Sequence, residues 1–124
     1  MNVQQIGQKL VELCRTNRNE EALDLYSPDA VSVEAMGSEA MPAVMKGVEA
    51  IRGKGRWWFE NNEVHKAEVR GPLPNENRFA VIFDFDFTPK AGPGAGKRTR
   101  MEEVALYTVE NGKIVREEFF YSME

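Results

Sequence analysis

The stretch Phe79–Phe87, FAVIFDFDF, restricts the fold more than any other part of the chain. Phe79, Val81, Phe83, Phe85 and Phe87 alternate with Ala80, Ile82, Asp84 and Asp86. A period of two puts five large apolar side chains on one face of a strand and both aspartates on the other. Such a strand requires a sheet with one covered face and one wet face. The flanking segments supply its neighbours. EVHKAEV (63–69) alternates, which predicts His65, Ala67 and Val69 on the covered face and Val64, Lys66 and Glu68 outside. RMEEVALYTV (100–109) and KIVREEFFY (113–121) read as two further strands, joined by the turn signal Glu110-Asn111-Gly112.

The cover comes from the first half. Val3, Ile6, Leu10, Leu13 and Cys14 recur at helical spacing. Asn19 before Glu20 and Glu21 predicts a second helix start, carrying Ala22, Leu25 and Tyr26 and stopped by Pro28. AVSVE (30–34) is a short strand, and a loop leads to a third helix from about Gly47. On its wheel Val48, Ile51, Gly55, Trp58, Phe59 and Asn62 share one side, with Trp57 opposite. The expected fold class is α+β: three N-terminal helices packed on one face of a curved antiparallel sheet.

At 124 residues, with no repeat and no linker, residues 1–124 read as one domain. A formal charge of −4 argues against a nucleic-acid partner. One cysteine and one histidine on distant elements give neither an internal disulfide nor a metal ligand set, and no cofactor is expected. No apolar run is long enough for a bilayer, and the first fifteen residues lack the pattern of a secretion signal. The expectation is a cytoplasmic protein with no membrane partner.

LYSPDAVSVEAMGSE, then KGVEAIRGKGRWW, then YTVENGKIVREEFFY resemble, in that order, the nuclear-transport-factor-2-like superfamily and within it the SnoaL-like group. The resemblance covers nearly the whole chain. It implies a cone: a strongly bent sheet closed by three helices around a deep apolar pocket, as in the cystatin-like α+β roll. It also implies a small, mostly apolar molecule as partner and, in many members, a homodimer. Members include ketosteroid isomerases, polyketide cyclases, dehydratases, epoxide hydrolases and non-catalytic binding modules, so the fold leaves function open.

Read beside a ketosteroid isomerase, Glu34 in VEAMGSE takes the place of the proton-shuttling aspartate. The other half of that comparison fails. The tyrosine and the protonated aspartate of that family's oxyanion hole fall on Leu10 and on Val104 or Ala105 here, and none of these can donate a hydrogen bond. His65, if inward, is a second candidate base or acid. Tyr26, Tyr107 and Tyr121 are candidate donors, with Trp58, Phe59, Phe83, Phe85 and Phe119 as walls. If Tyr107 and Val109 face in, so does Glu103; Glu117, Phe119 and Tyr121 share a face on the last strand. A one-residue slip at the hairpin would invert that assignment.

GPGAGKRT (92–99) is not a phosphate loop. Ala91 stands where the first glycine is required, Arg98 where a hydroxyl would hold magnesium, and no helix follows. It reads as a hairpin tip, and Lys90, Lys97, Arg98 and Arg100 would make it a basic rim suited to a small acidic ligand. Two functions remain open: cofactor-independent proton-transfer catalysis by Glu34 or His65, or a non-catalytic small-ligand or dimerisation module. In the latter, Val104, Leu106 and Trp57 would form the interface.

Overall fold

The computed structural model describes residues 1–38 and 41–122. Helix α1 (Val3–Arg15) is opened by a capping box in which Asn2 and Gln5 satisfy each other's backbone N–H groups. It buries Ile6, Gly7, Leu10, Val11 and Leu13. The helix can lie this close to the sheet because position 7 has no side chain. A Cβ there would come within 2.8 Å of Pro72 and 3.2 Å of Phe79.

The second expected helix is one short 3-10 turn, Glu21–Leu25, so among the described residues two α-helices rather than three close the sheet. Asn19 makes no cap, and the chain is already extended at Tyr26. Too few residues separate α1 from the strand to recover the cost of helix nucleation. Tyr26 therefore opens strand β1 (Tyr26–Val33) instead of ending a helix. Pro28 lies where the pairing of β1 shifts register, the place where a residue without an N–H is tolerated.

Strand β2 (Val44–Lys46), helix α2 (Val48–Asn61), β3 (Asn62–Asn75), β4 (Arg78–Pro89), β5 (Thr99–Glu110) and β6 (Lys113–Phe120) complete the chain. The curved sheet has the order β2-β1-β6-β5-β4-β3. It is not wholly antiparallel: β1 runs parallel to β6, inserted after the whole excursion through α2 and the meander. The hairpin at Asn111 and Gly112 has both residues at positive φ, 52° and 74°, the twist-matched two-residue turn that Asn-Gly favours.

The covered face holds the core. Phe79, Val81, Ala105 and Ile114 are fully buried with Ile6 and Leu10 from α1. Phe79 stacks on Tyr107 at 4.9 Å between centroids, and Trp58 from α2 packs over Phe85 and Phe87 at 4.9 and 5.5 Å. Phe59 is 43% exposed and meets Trp58 edge to face, so it is not core wall. Trp57 is also exposed.

His65 does not face inward. Val64 pairs with Phe87 and Lys66 with Asp86, so one extra residue is inserted between consecutive pairs. This bulge ends the alternation that placed His65 beside Val69. Val64 takes the inward place, while His65 is exposed and its Nε2 lies 2.7 Å from Thr88 Oγ1.

Candidate functional site

Register places the inward residues in rows. Ser32 of β1 stands opposite Glu117 of β6, which stands opposite Tyr107 of β5. One row further, Phe119 stands opposite Ala105, and beyond that Glu103 stands opposite Phe83 of β4. Glu34 follows Ser32 by two residues, which keeps it on the same face at the end of β1. Lys54 enters from α2, one turn after the buried Ile51 and one turn before Trp58.

These side chains meet. Lys54 Nζ donates to Ser32 Oγ and, at 2.7 Å, to Glu34 Oε1. Tyr121 OH donates to Glu34 Oε2 at 3.0 Å. The Lys54 ammonium also lies over the Phe119 ring, 4.7 Å from its centroid. Deeper in, Glu117 accepts from the Tyr26 and Ser32 hydroxyls, and Tyr26 hydrogen-bonds Tyr107. Among the described residues no buried side-chain nitrogen or oxygen lacks a partner.

The electrostatics follow from three carboxyls around one ammonium. Glu103 is pushed up to about 7, first by burial, then by the charges of Glu34 and Glu117, with Lys54 opposing. No hydrogen bond contributes to that shift: among the described residues its carboxyl has no donor. Burial also raises Glu117, against the pull of Lys54 and the two hydroxyls. Burial first, and then Glu117, hold Tyr26 and Tyr107 well above the ordinary phenol range. Tyr121 is raised by burial and by the Glu34 charge. Near neutral pH Glu103 is therefore partly protonated, and burial shifts Glu117 in the same direction.

Of the residues expected from sequence, Glu34, Tyr26, Glu103, Tyr107, Glu117, Phe119 and Tyr121 lie in this cluster. Phe83 borders it, while Phe85 and Trp58 form the adjoining wall. His65 and Phe59 lie outside. Lys54 and Ser32 were missed, although Lys54 sits on the stripe running from Ile51 to Trp58.

Two of the four cations expected to form a basic rim are already paired. Arg98 is bound bidentately by Asp86 and Arg100 by Asp84 on the opposite, outer face of the sheet. Arg100 covers Asp84 so closely that only 6% of it is exposed, and Arg70 also approaches it. The guanidiniums hold both aspartates below the ordinary carboxylate range. Arg98 and Arg100 are thus spent on the sheet's own aspartates rather than held out for a small acidic ligand. Two surface clefts, about 320 and 220 Å³, lie between α1 and β3 and over this outer ladder; neither touches the inner cluster. Among the described residues no three His, Cys, Asp or Glu side chains gather as metal ligands, and no helix is long and apolar enough to cross a membrane.

The SnoaL-like domain family matches residues 1–121. A Mesorhizobium loti protein, provisionally named a SnoaL-like polyketide cyclase, is 45% identical and superposes with a TM-score of 0.88, covering 98% of this chain and 100% of that one. An NTF2-like protein from Burkholderia thailandensis (15% identity, TM-score 0.80, 98% and 92% covered) shares the fold. So does a Bacillus subtilis protein provisionally named an isomerase (16% identity, TM-score 0.71, 98% and 90% covered). No curated protein matches the chain.

Proposed function

The chain belongs to the SnoaL-like domain family, and from that premise we propose that it is a cofactor-independent catalyst of proton transfer on a small molecule, with the Glu103 carboxyl as proton carrier. The observation that carries this is one side chain: a part-buried carboxyl with no donor among the described residues, pushed up to about 7, in the same cluster as the Lys54 ammonium. Such a group has both protonation states within reach at neutral pH, so it can take and return a proton at little cost. Glu34 is committed to Lys54 and Tyr121, which makes it the counter-charge that orients the lysine rather than the base. Phe83, Phe85, Phe119 and Trp58 supply the apolar wall against which the substrate lies. The names carried by the Mesorhizobium loti and Bacillus subtilis proteins, cyclase and isomerase, fit this reading.

The test is deuterium exchange at the carbon beside the carbonyl of a panel of ketones, followed from pH 5 to 9. The expected kcat/KM rises with pH through about 7, then levels. Glu103→Gln lowers it by roughly 10²-fold or more. Equal exchange by Glu103→Gln and the parent protein excludes Glu103 as the carrier.

A second reading, a binding or dimerisation module, is favoured by two observations. The two clefts described above lie away from the cluster. On the outer face, Val104 (37% exposed) stands opposite Phe120 (52% exposed), beside the Val33 and Val44 pair. In this reading a second copy covers that stripe. Ligands then raise the melting temperature without turnover. A monomer at micromolar concentration removes the dimer.

A further inference from the structure

The inner cluster is closed. Lys54 and Glu34 are 12% and 19% exposed, Ser32 and Glu117 are buried, and neither of the two clefts reaches them. A small molecule bound for this face must first displace what covers it. The cover is α2, which lays Lys54 over the Phe119 ring and, one turn later, Trp58 over Phe85 and Phe87.

The two helices are held very differently. α1 has a capping box and buries five residues, and its one glycine, Gly7, is demanded by Pro72 and Phe79. α2 is about as long but buries Ile51 alone. Its N-cap, Gly47, offers no side chain to the first turn, and no basic residue in its last turn opposes the helix dipole. Gly53 and Gly55 sit mid-helix without a positive φ, and a Cβ at either would meet no atom within 4 Å. Nothing in the closed structure calls for glycine there, and each lowers helix stability relative to alanine. Lys54 is the residue between them. The helix is therefore weakest at the side chain that ties it to the cluster. That tie is an ion pair taken partly out of water, so its desolvation cost offsets much of its attraction. Segments with few buried apolar contacts are the ones that open locally.

We infer that α2 is a gate over the inner cluster, unwinding about Gly53-Lys54-Gly55 so that Lys54 leaves Ser32 and Glu34 and the inner face meets solvent. The C-terminal half stays docked: Trp58 packs on Phe85 and Phe87, Asn62 Nδ2 donates to the Trp58 carbonyl, and the Lys90 N–H donates to the Asn61 carbonyl. The N-terminal half is the part that moves. It hangs from Gly47, at a φ of 95°, whose N–H donates to the Ala30 carbonyl. Opening breaks helix hydrogen bonds and one ion pair, and water replaces both. The gate goes beyond either reading of function above, since it concerns access to the cluster and holds whether the cluster catalyses or only binds.

Two measurements test this without any substrate, so their outcome is separate from that of the ketone assay. The first follows hydrogen exchange of α2 amides against β4 amides, in the parent and in Gly53→Ala with Gly55→Ala, from zero to mild urea. The second follows labelling of a thiol by a neutral aromatic disulfide in Ser32→Cys with Cys14→Ala, with and without the two alanines. Ser32 is fully buried and bonded to Lys54, so a thiol at that position reacts only when its cover moves. Each protein is checked first for a cooperative melt. The α2 amides of the parent are expected to exchange roughly tenfold or more faster than β4 amides, at a rate insensitive to mild urea. The thiol is expected to label in the same way, faster than global unfolding allows. The paired alanines are expected to slow both by roughly tenfold. Labelling that tracks global unfolding in its urea dependence overturns the gate, even where α2 amides exchange locally, because fraying alone would explain those. Local labelling that the alanines leave within about threefold puts the opening elsewhere and overturns it too. If the Ser32→Cys protein does not fold, α2 exchange decides. A rate equal to that of β4, or one unmoved by the alanines, overturns the gate, and local exchange slowed by them sustains it.

Discussion

Glu103→Gln is expected to make the protein more stable, and increasingly so as pH rises. In the fold this carboxyl titrates at about 7 against an ordinary 4.5. Below about 4.5 both states hold the proton and the substitution is nearly neutral. Between 4.5 and 7 the unfolded chain releases its proton while the folded chain keeps it, so folding loses about 1.4 kcal/mol per pH unit. Above 7 the loss is complete. A shift from 4.5 to about 7 would total about 3 kcal/mol. Partial solvent access at the cluster's edge lowers the expected gap to about 2–3 kcal/mol. Glutamine, which cannot ionise, has the shape of the protonated acid and avoids this loss. Glu34, Glu117 and Lys54 remain in both proteins, so their own titrations largely cancel in the difference. Urea unfolding at pH 4.5, 6, 7 and 8.5 measures it directly. The stability gap should grow from near zero to about 2–3 kcal/mol, or roughly 10 °C in melting temperature at the top of the range. A gap that stays flat from pH 4.5 to 8.5 refutes the argument, since it would mean that Glu103 ionises equally easily in both states.

The remaining predictions follow from individual contacts. His65→Ala, at an exposed residue whose ring meets Thr88, should change ketone exchange by less than twofold, and a tenfold loss would bring the imidazole back into the site. Phe79→Ala removes a fully buried ring stacked on Tyr107 and should cost about 3–5 kcal/mol in urea unfolding. Tyr121→Phe deletes the donor to Glu34 and should lower stability by about 1 kcal/mol, with Lys54 still holding the carboxylate. Phe120→Asp places a charge in the exposed apolar stripe and should shift a dimer toward monomer in size-exclusion chromatography while leaving the melt cooperative.

Much of the scaffold was legible because its signals are local. Alternation through Phe79–Phe87, the Asn111-Gly112 turn and the helical spacing from Val3 to Cys14 each appear in the structure close to where periodicity puts them. The same alternation on β5 and β6 brings Glu103 and Glu117 onto the inner face. Where the reading failed, a non-local cause was at work. The helix expected after Asn19 gave way to a strand, because Tyr26 and Val31–Val33 pair with a segment some ninety residues later in the chain. Lys54 was passed over because a lysine on a helix is ordinarily solvated, and only the nearness of Glu34 and Ser32 makes its burial favourable.

Sequence alone therefore determined the class of fold, the family and which strands have a wet and a dry face, since these depend on residue type and spacing within a few positions. Tertiary structure decided which ionisable groups share a site. One inserted residue at Val64–Lys66 turned the histidine out, and packing of α2 over the sheet turned Lys54 in. Whether a carboxyl is paired or left free to titrate depends on charges brought together from four separate elements, and no local pattern encodes that sum.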